Sequence, residues 1–184
     1  VCGAQRRFTA AAPGSRAVTA QLVALGATVR QRGGVVVWVR HGARPGRTAA
    51  STFLPVRGDD GWQPSVDPAT GDVLVDAAGW DGCYGSDLDH TLRAAGVRTV
   101  VLGGIASELT VDSTVRTLND RGHECLVLTD GCAPLVPSLG ARAHHSLTMS
   151  GGIFGALGTV DHVADALVSS PSDQQFAPTA RSSS

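Results

Sequence analysis

An α/β protein, built as a three-layer α/β/α sandwich around a mostly parallel sheet, is the fold class this sequence predicts. A short, nearly continuous valine-rich run stands at Val35–Val39, as expected of a buried parallel strand, and further strands are read at Thr99–Leu102 and Glu124–Leu128. Between them lie stretches with apolar residues at helical spacing and glycine at their ends, so strands and helices alternate along the chain. Right-handed crossovers then put helices on both faces of the sheet.

Taken in order, Val1–Ala4 reads as the end of a first strand. Val18, Leu22, Leu25 and Val29 share one helical face, and the helix they predict runs to Arg32 and exits at Gly33-Gly34. Val35–Val39 is the next strand. Residues 42–72, rich in Gly, Pro, Asp and Thr, predict a long irregular excursion. Val73–Val75 is a short strand, Leu88–Ala95 a helix closed by Gly96, and Thr99–Leu102 a strand. Leu109–Asp120 is a helix ending at Arg121-Gly122, followed by the strand Glu124–Leu128 and helices over Ser138–Leu147 and Asp161–Val168. One domain over residues 1–168 is expected, with residues 169–184 a polar tail, either a linker or a partner-binding arm.

Composition narrows the function classes. The chain has 184 residues, 42% of them hydrophobic, and a formal net charge of −1, which fits one globular domain with a sizeable core. No basic field calls for nucleic acid, and no apolar run is long enough to cross a bilayer. All fifteen basic residues are arginine and none is lysine. Four cysteines (Cys2, Cys83, Cys125, Cys132) show neither a CxxC pair nor ligand-like spacing with histidine, so reduced thiols are expected. With no signal-peptide pattern at the N-terminus, a cytoplasmic location is expected. The chain opens on Val1, partway through a strand, and further residues are expected to precede it. His144 and His145 are adjacent and point to different faces; no metal and no cofactor are expected. The glycines at Gly151-Gly152 and Gly155 resemble no phosphate loop and are read as tight backbone packing.

Four stretches carry a chemical signature. Gly3-Ala4-Gln5 is followed by Phe8. Asp76-Ala77-Ala78-Gly79-Trp80-Asp81-Gly82-Cys83-Tyr84-Gly85-Ser86-Asp87-Leu88 forms the second. The third is Gly104-Ile105-Ala106-Ser107-Glu108-Leu109-Thr110-Val111, continued by Thr114, Arg116, Asp120, Arg121 and Gly122. The fourth is Thr148-Met149-Ser150-Gly151-Gly152-Ile153-Phe154-Gly155. In this order they resemble the D-x-Q-x-x-F opening, the lysine segment K-x-x-x-S-A-F-x-G-T-x-L, the nucleophile segment G-x-x-T-x-x-C-V and the closing segment of the isochorismatase-like cysteine hydrolases. The resemblance covers most of the chain and is poor in the central excursion.

The resemblance implies a catalytic Asp-Lys-Cys triad at Gly3, Ala77 and Thr110, where this chain has a hydrogen, a methyl and a hydroxyl. In the family a thiolate at a helix start attacks an amide-like carbonyl, an ammonium lowers the thiol's pKa, and backbone N–H groups hold the oxyanion. The resemblance also implies a non-proline cis peptide near Ile105-Ala106. Thr110 is read as a helix-start residue bonded to backbone, because no base accompanies its hydroxyl. A migrated Cys83–Asp76 or Cys83–Asp81 pair is the catalytic alternative, set against Cys83 packing where the family has phenylalanine. Arg40, His41, Trp62, Trp80, Asp81, Cys83, Tyr84, Ile105 and Ala106 are expected to line the pocket. Arg40 and His41 either line it or cap the strand, and Trp62, Trp80 and Tyr84 form either an aromatic wall or core packing.

The function expected is that of a pseudoenzyme: a structural, regulatory or complex-forming subunit, in a homo- or hetero-oligomer with an isochorismatase-like subunit. One alternative is a repurposed hydrolase or lyase acting on a small amide, ureide or vinyl ether without the usual triad. The other is a small-molecule binding module.

Overall fold

A computed structural model describes residues 1–46 and 53–169. It contains α1 (Arg6–Ala11), α2 (Ser15–Gln31), β1 (Val37–His41), a 3-10 turn at Asp60–Trp62, β2 (Val73–Ala77), α3 (Leu88–Ala94) and β3 (Thr99–Ile105). A π-helical turn at Ser107–Val111 follows, then α4 (Asp112–Asp120), β4 (Glu124–Ala133), α5 (Pro137–Gly152), β5 (Ala156–Gly158) and α6 (Val160–Ser169). The polar tail expected from 169 onward lies, past Ser169, outside the described residues.

All named strand pairs are parallel. β1 pairs with β2 from Val37↔Val73 to His41↔Ala77, β4 pairs with β3 on one side and β5 on the other. The N-terminal segment fills the gap between β1 and β3: Cys2 bridges to both Val39 and Gly104. It donates from Cys2 N to Gly103 O at 2.9 Å and from Gly3 N to Val39 O at 3.0 Å. The order across the sheet is therefore β2, β1, the N-terminal segment, β3, β4, β5. The expected first strand is present only as this isolated bridge, because α1 begins three residues past Gly3.

The sheet divides the core into two layers. Val37, Val39, Leu102 and Val127 face one way, with Leu88, Leu92, Val111, Val115 and Leu147 from α3, the π-turn, α4 and α5. Trp38 and Leu128 face the other, with Phe8, Val18, Leu22, Leu25, Val160 and Val163 from α1, α2 and α6. This alternation along each strand is the period-2 rule at work. Asp72, just before β2, ties α2 to β1: it accepts from Arg30 Nη1 at 2.7 Å and from Trp38 Nε1 at 2.8 Å.

Five elements differ from expectation. α1 was not anticipated, since its six residues bury only Phe8 and show no periodicity. β5 was missed because two of its three residues are exposed, Gly155 precedes it and its last residue is Gly158. β4 runs five residues beyond Leu128, past the exposed Thr129 and Asp130, and pairs with β3 across a register break between Leu102 and Gly104. The helix expected from Leu109 starts with a π-turn, and α5 loses helical geometry at Met149–Gly151, where Ser150 has φ 53°. No helix among the described residues is long and apolar enough to cross a membrane.

Candidate functional site: one carbonyl at the centre

The three positions that the resemblance equates with the triad lie at or just past the carboxyl ends of the N-terminal segment, β2 and β3, the end at which parallel sheets present ligands. Gly3 is held between strands with φ +63°. A Cβ built there would stand 1.8 Å from Ile105 O and 3.1 Å from Phe8 Cδ2, so no side chain fits this backbone. Thr110 is fully buried and donates its hydroxyl to the same oxygen, Ile105 O, at 2.7 Å. Two of the three positions therefore converge on one main-chain carbonyl, at the Ile105-Ala106 peptide bond, which is cis. Ala77 ends β2 beside His41, fully buried in the core, and its carbonyl accepts from Gly42 N at 3.1 Å.

The surrounding polar groups are mostly spent on the scaffold. Thr114 accepts from Gly82 N at 2.8 Å and donates to Thr110 O at 2.6 Å. Asp81 accepts from Cys83 N at 2.9 Å through one oxygen and from the Thr117 hydroxyl at 3.0 Å through the other. Gln5 donates to the carbonyls of His41 and Trp62 and accepts from His41 N at 2.7 Å. Burial, reinforced by Asp81, pushes the Cys83 thiol up to about 12. At pH 7 such a thiol is thiolate in only about one molecule in 10⁵.

His41 is completely buried, with Nδ1 3.0 Å from Gly79 O, while Nε2 finds no partner. Burial lowers its pKa from 6.5 to about 4, against the raising effect of the Gly79 carbonyl. The imidazole is therefore neutral at pH 7, and the carbonyl acceptor assigns its proton to Nδ1. Because the folded pKa is the depressed one, the unfolded chain binds more protons between pH 4 and 6.5. His41 stabilises the fold fully above pH 6.5 and loses that contribution as pH falls toward 4. On lowering the pH from 7 to 5, the wild-type chain is expected to lose about 2 kcal/mol more stability than a His41→Gln variant. Urea unfolding at both pH values measures this, and equal losses would refute the buried neutral imidazole.

The remaining expected pocket residues go to separate tasks. Trp80 packs against Phe8, ring centroids 5.9 Å apart, and Phe8 stacks on Phe53 at 5.7 Å. Trp62 lies under Arg40, whose Cζ is 3.6 Å from the ring centroid; Arg40 also grips Asp76 with two bonds of 2.7 and 3.0 Å. Tyr84 is 57% exposed. No ring contact joins the three aromatics among the described residues. Ile105 and Ala106 are buried in the layer that holds Phe8. Two surface cavities lie elsewhere: one of about 480 Å³ around Cys125, Thr148 and Gly155, and one of about 520 Å³ between α1 and α2. Among the described residues no group of three His, Cys, Asp or Glu could hold a metal ion.

Sequence reasoning gave no role to Gln5, Thr114 or Arg57. Gln5 stood inside the first motif and Thr114 in the continuation of the third. Arg57, whose Nη2 donates to Asp76 O at 2.8 Å, lay in the aperiodic excursion, where nothing marked it.

Comparison with known proteins agrees with this fold. The cysteine hydrolase of Pseudomonas syringae pv. phaseolicola 1448A superposes with a TM-score of 0.82 at 20% identity, over 92% of this chain and 91% of that one. The uncharacterized isochorismatase family protein YwoC of Bacillus subtilis (strain 168) is 37% identical over 67 residues, 36% of this chain and 35% of YwoC. The ureidoacrylate amidohydrolase RutB of Stutzerimonas stutzeri (strain A1501) is 33% identical over 104 residues, 56% of this chain and 41% of RutB. The chain thus spans less than half the length of these two relatives. The family profile described as the isochorismatase domain matches residues 1–159, nearly the whole of the described sandwich, and the chain belongs to that family.

Proposed function

We propose that this chain is a catalytically inactive member of its family, a pseudoenzyme that serves as a structural, regulatory or complex-forming subunit. The observation that carries this reading is the occupancy of Ile105 O: Gly3 leaves no room for a carboxylate beside it, and the Thr110 hydroxyl is donated to it. A nucleophile needs a base and an orienting group; here the hydroxyl is bound to a carbonyl, and the position opposite His41 is a methyl. Residues that act as a unit lose most of their effect when one is removed, and here three differ. The subunit role accords with a sandwich that keeps its core while its polar side chains near the old site brace the backbone.

The competing reading is a repurposed hydrolase or lyase acting on a small amide, ureide or vinyl ether, and the similarity to an amidohydrolase favours it. It needs a nucleophile or base at the site. Cys83, held near 12, is protonated at neutral pH, and His41, completely buried with its pKa lowered to about 4, is a weak base shut away from solvent.

The test assays the purified chain against a panel of amides, ureides and vinyl ethers, beside an active family hydrolase as control. Turnover no faster than buffer is expected. A measurable kcat on any of them, abolished by Cys83→Ala or His41→Gln, would sink the proposal. Co-purification with an active isochorismatase-like subunit, or a self-assembled oligomer by light scattering, is the expected signature of the subunit role.

A further inference from the structure

Two N–H donors near the ends of β1 and β2 have no acceptor among the described residues: Arg57 Nε and Trp62 Nε1, both buried atoms. Indole and guanidinium nitrogens only donate, so each calls for an acceptor that the described residues do not supply. Leaving such donors unpaired is costly, and unpaired buried donors call for an explanation.

The two donors belong to one cluster. Trp62 lies beneath the Arg40 guanidinium. Its edge reaches Gly42, where an added Cβ would stand 2.7 Å from Trp62 Cδ1 and 3.1 Å from Nε1. Arg57 is tied to the same strand end twice, through its own N–H to Ala43 O at 3.0 Å and through Nη2 to Asp76 O at 2.8 Å. Arg40 binds the Asp76 carboxylate, so these two groups share Asp76.

Charge says what the acceptor is. Arg40 is neutralised by the Asp76 carboxylate, 2.7 and 3.0 Å away. Arg57 bonds only to the main-chain oxygen of Asp76, which carries no net charge. The nearby Asp59 carboxylate turns to Val56 N instead. Arg44, exposed in the same loop, has no hydrogen bond or ion pair among the described residues, and its Nη2 is 3.2 Å from where a Gly85 Cβ would stand. Three guanidiniums and two orphan donors therefore stand against two carboxylates, of which Asp76 is engaged by Arg40 and Asp59 turns to Val56 N.

We propose that the carboxyl ends of β1 and β2 form a binding site for a small oxyanion, received by Arg57 Nε and Trp62 Nε1. Arg40, locked to Asp76, holds the indole as a platform, and Arg44 adds charge at the rim. Arg57 and Trp62 are each half-buried, so the site borders solvent on one side. A carboxylate and inorganic phosphate share the acceptor chemistry that these donors need. The site binds without turnover and is independent of whether the chain catalyses anything.

Titration calorimetry of the full chain with sodium benzoate, and separately with sodium phosphate, tests this at low ionic strength against chloride-matched blanks. One site per chain is expected for at least one anion, and which anion binds identifies the class. Trp62→Phe keeps the ring under Arg40 and removes only the N–H; Arg57→Gln removes the charge and Nε. Each is expected to weaken binding about tenfold or more without shifting the thermal midpoint by more than a few degrees. No saturation with either anion up to about 50 mM would overturn the proposal and leave water as the partner of these donors. Undiminished affinity in either variant would overturn the assignment of the two donors. A variant that unfolds is replaced by its conservative counterpart, Trp62→Tyr or Arg57→Lys, held to the same outcomes.

Discussion

Gly3→Ala is expected to destabilise the chain by more than about 3 kcal/mol, and Gly3→Asp by at least as much. Two effects add. A non-glycine residue at φ +63° costs about 1–2 kcal/mol by itself. The Cβ would then stand 1.8 Å from Ile105 O, an atom fixed by its own peptide and by the Thr110 hydroxyl. The neighbours cannot yield cheaply, because the N-terminal segment is bonded on both sides, to Val39 and to Gly103. Gly33 is the internal control: it has φ +75° with nothing within 4 Å, so Gly33→Ala isolates the conformational part, about 1 kcal/mol. Urea midpoints of the two alanine variants settle the matter, and equal shifts would mean that the segment moves aside freely. The expected result also bears on restoring catalysis: a variant carrying Gly3→Asp, Ala77→Lys and Thr110→Cys must rebuild the backbone before it can present a carboxylate.

Phe8→Ala is expected to cost about 3–5 kcal/mol. The ring is fully buried, stacks on Phe53, tilts against Trp80 and approaches the space beside Gly3. Its removal deletes the one buried side chain of α1 and leaves a cavity beside the rings of Phe53 and Trp80. Phe8→Leu, which refills most of the volume, is expected to cost less than about 2 kcal/mol. Guanidinium unfolding of both variants measures the difference. A Phe8→Ala penalty below about 1 kcal/mol would show that α1 is held by its hydrogen bonds to the 59–65 loop rather than by the ring.

These two residues mark the limit of what could be read along the chain. Both stand in the first motif, one as the substituted position and one as the conserved-looking aromatic of the pattern. The string identified them but said nothing of the conformation of Gly3 or of what Phe8 touches. Trp62, Trp80 and Tyr84 present the same problem in sharper form. Nothing in their spacing separates a cation platform, a core ring and an exposed ring, because each depends on which loop folds over which strand end.

What the sequence determined by itself is the α/β alternation, the ordered succession of strands and helices, the family resemblance and the identities at positions 3, 77 and 110. These are local properties: period-2 and period-3.6 patterns and glycine exits are written within ten or so residues. Tertiary structure alone decided that Ile105 O fills the space beside Gly3 and receives the Thr110 hydroxyl, and that Arg57 and Trp62 are left with unpaired donors. Those outcomes depend on the N-terminal segment sliding between β1 and β3, and on a loop closing over β1 and β2. They join residues far apart in sequence, and steric exclusion and hydrogen-bond satisfaction are properties of the assembled site rather than of any segment of it.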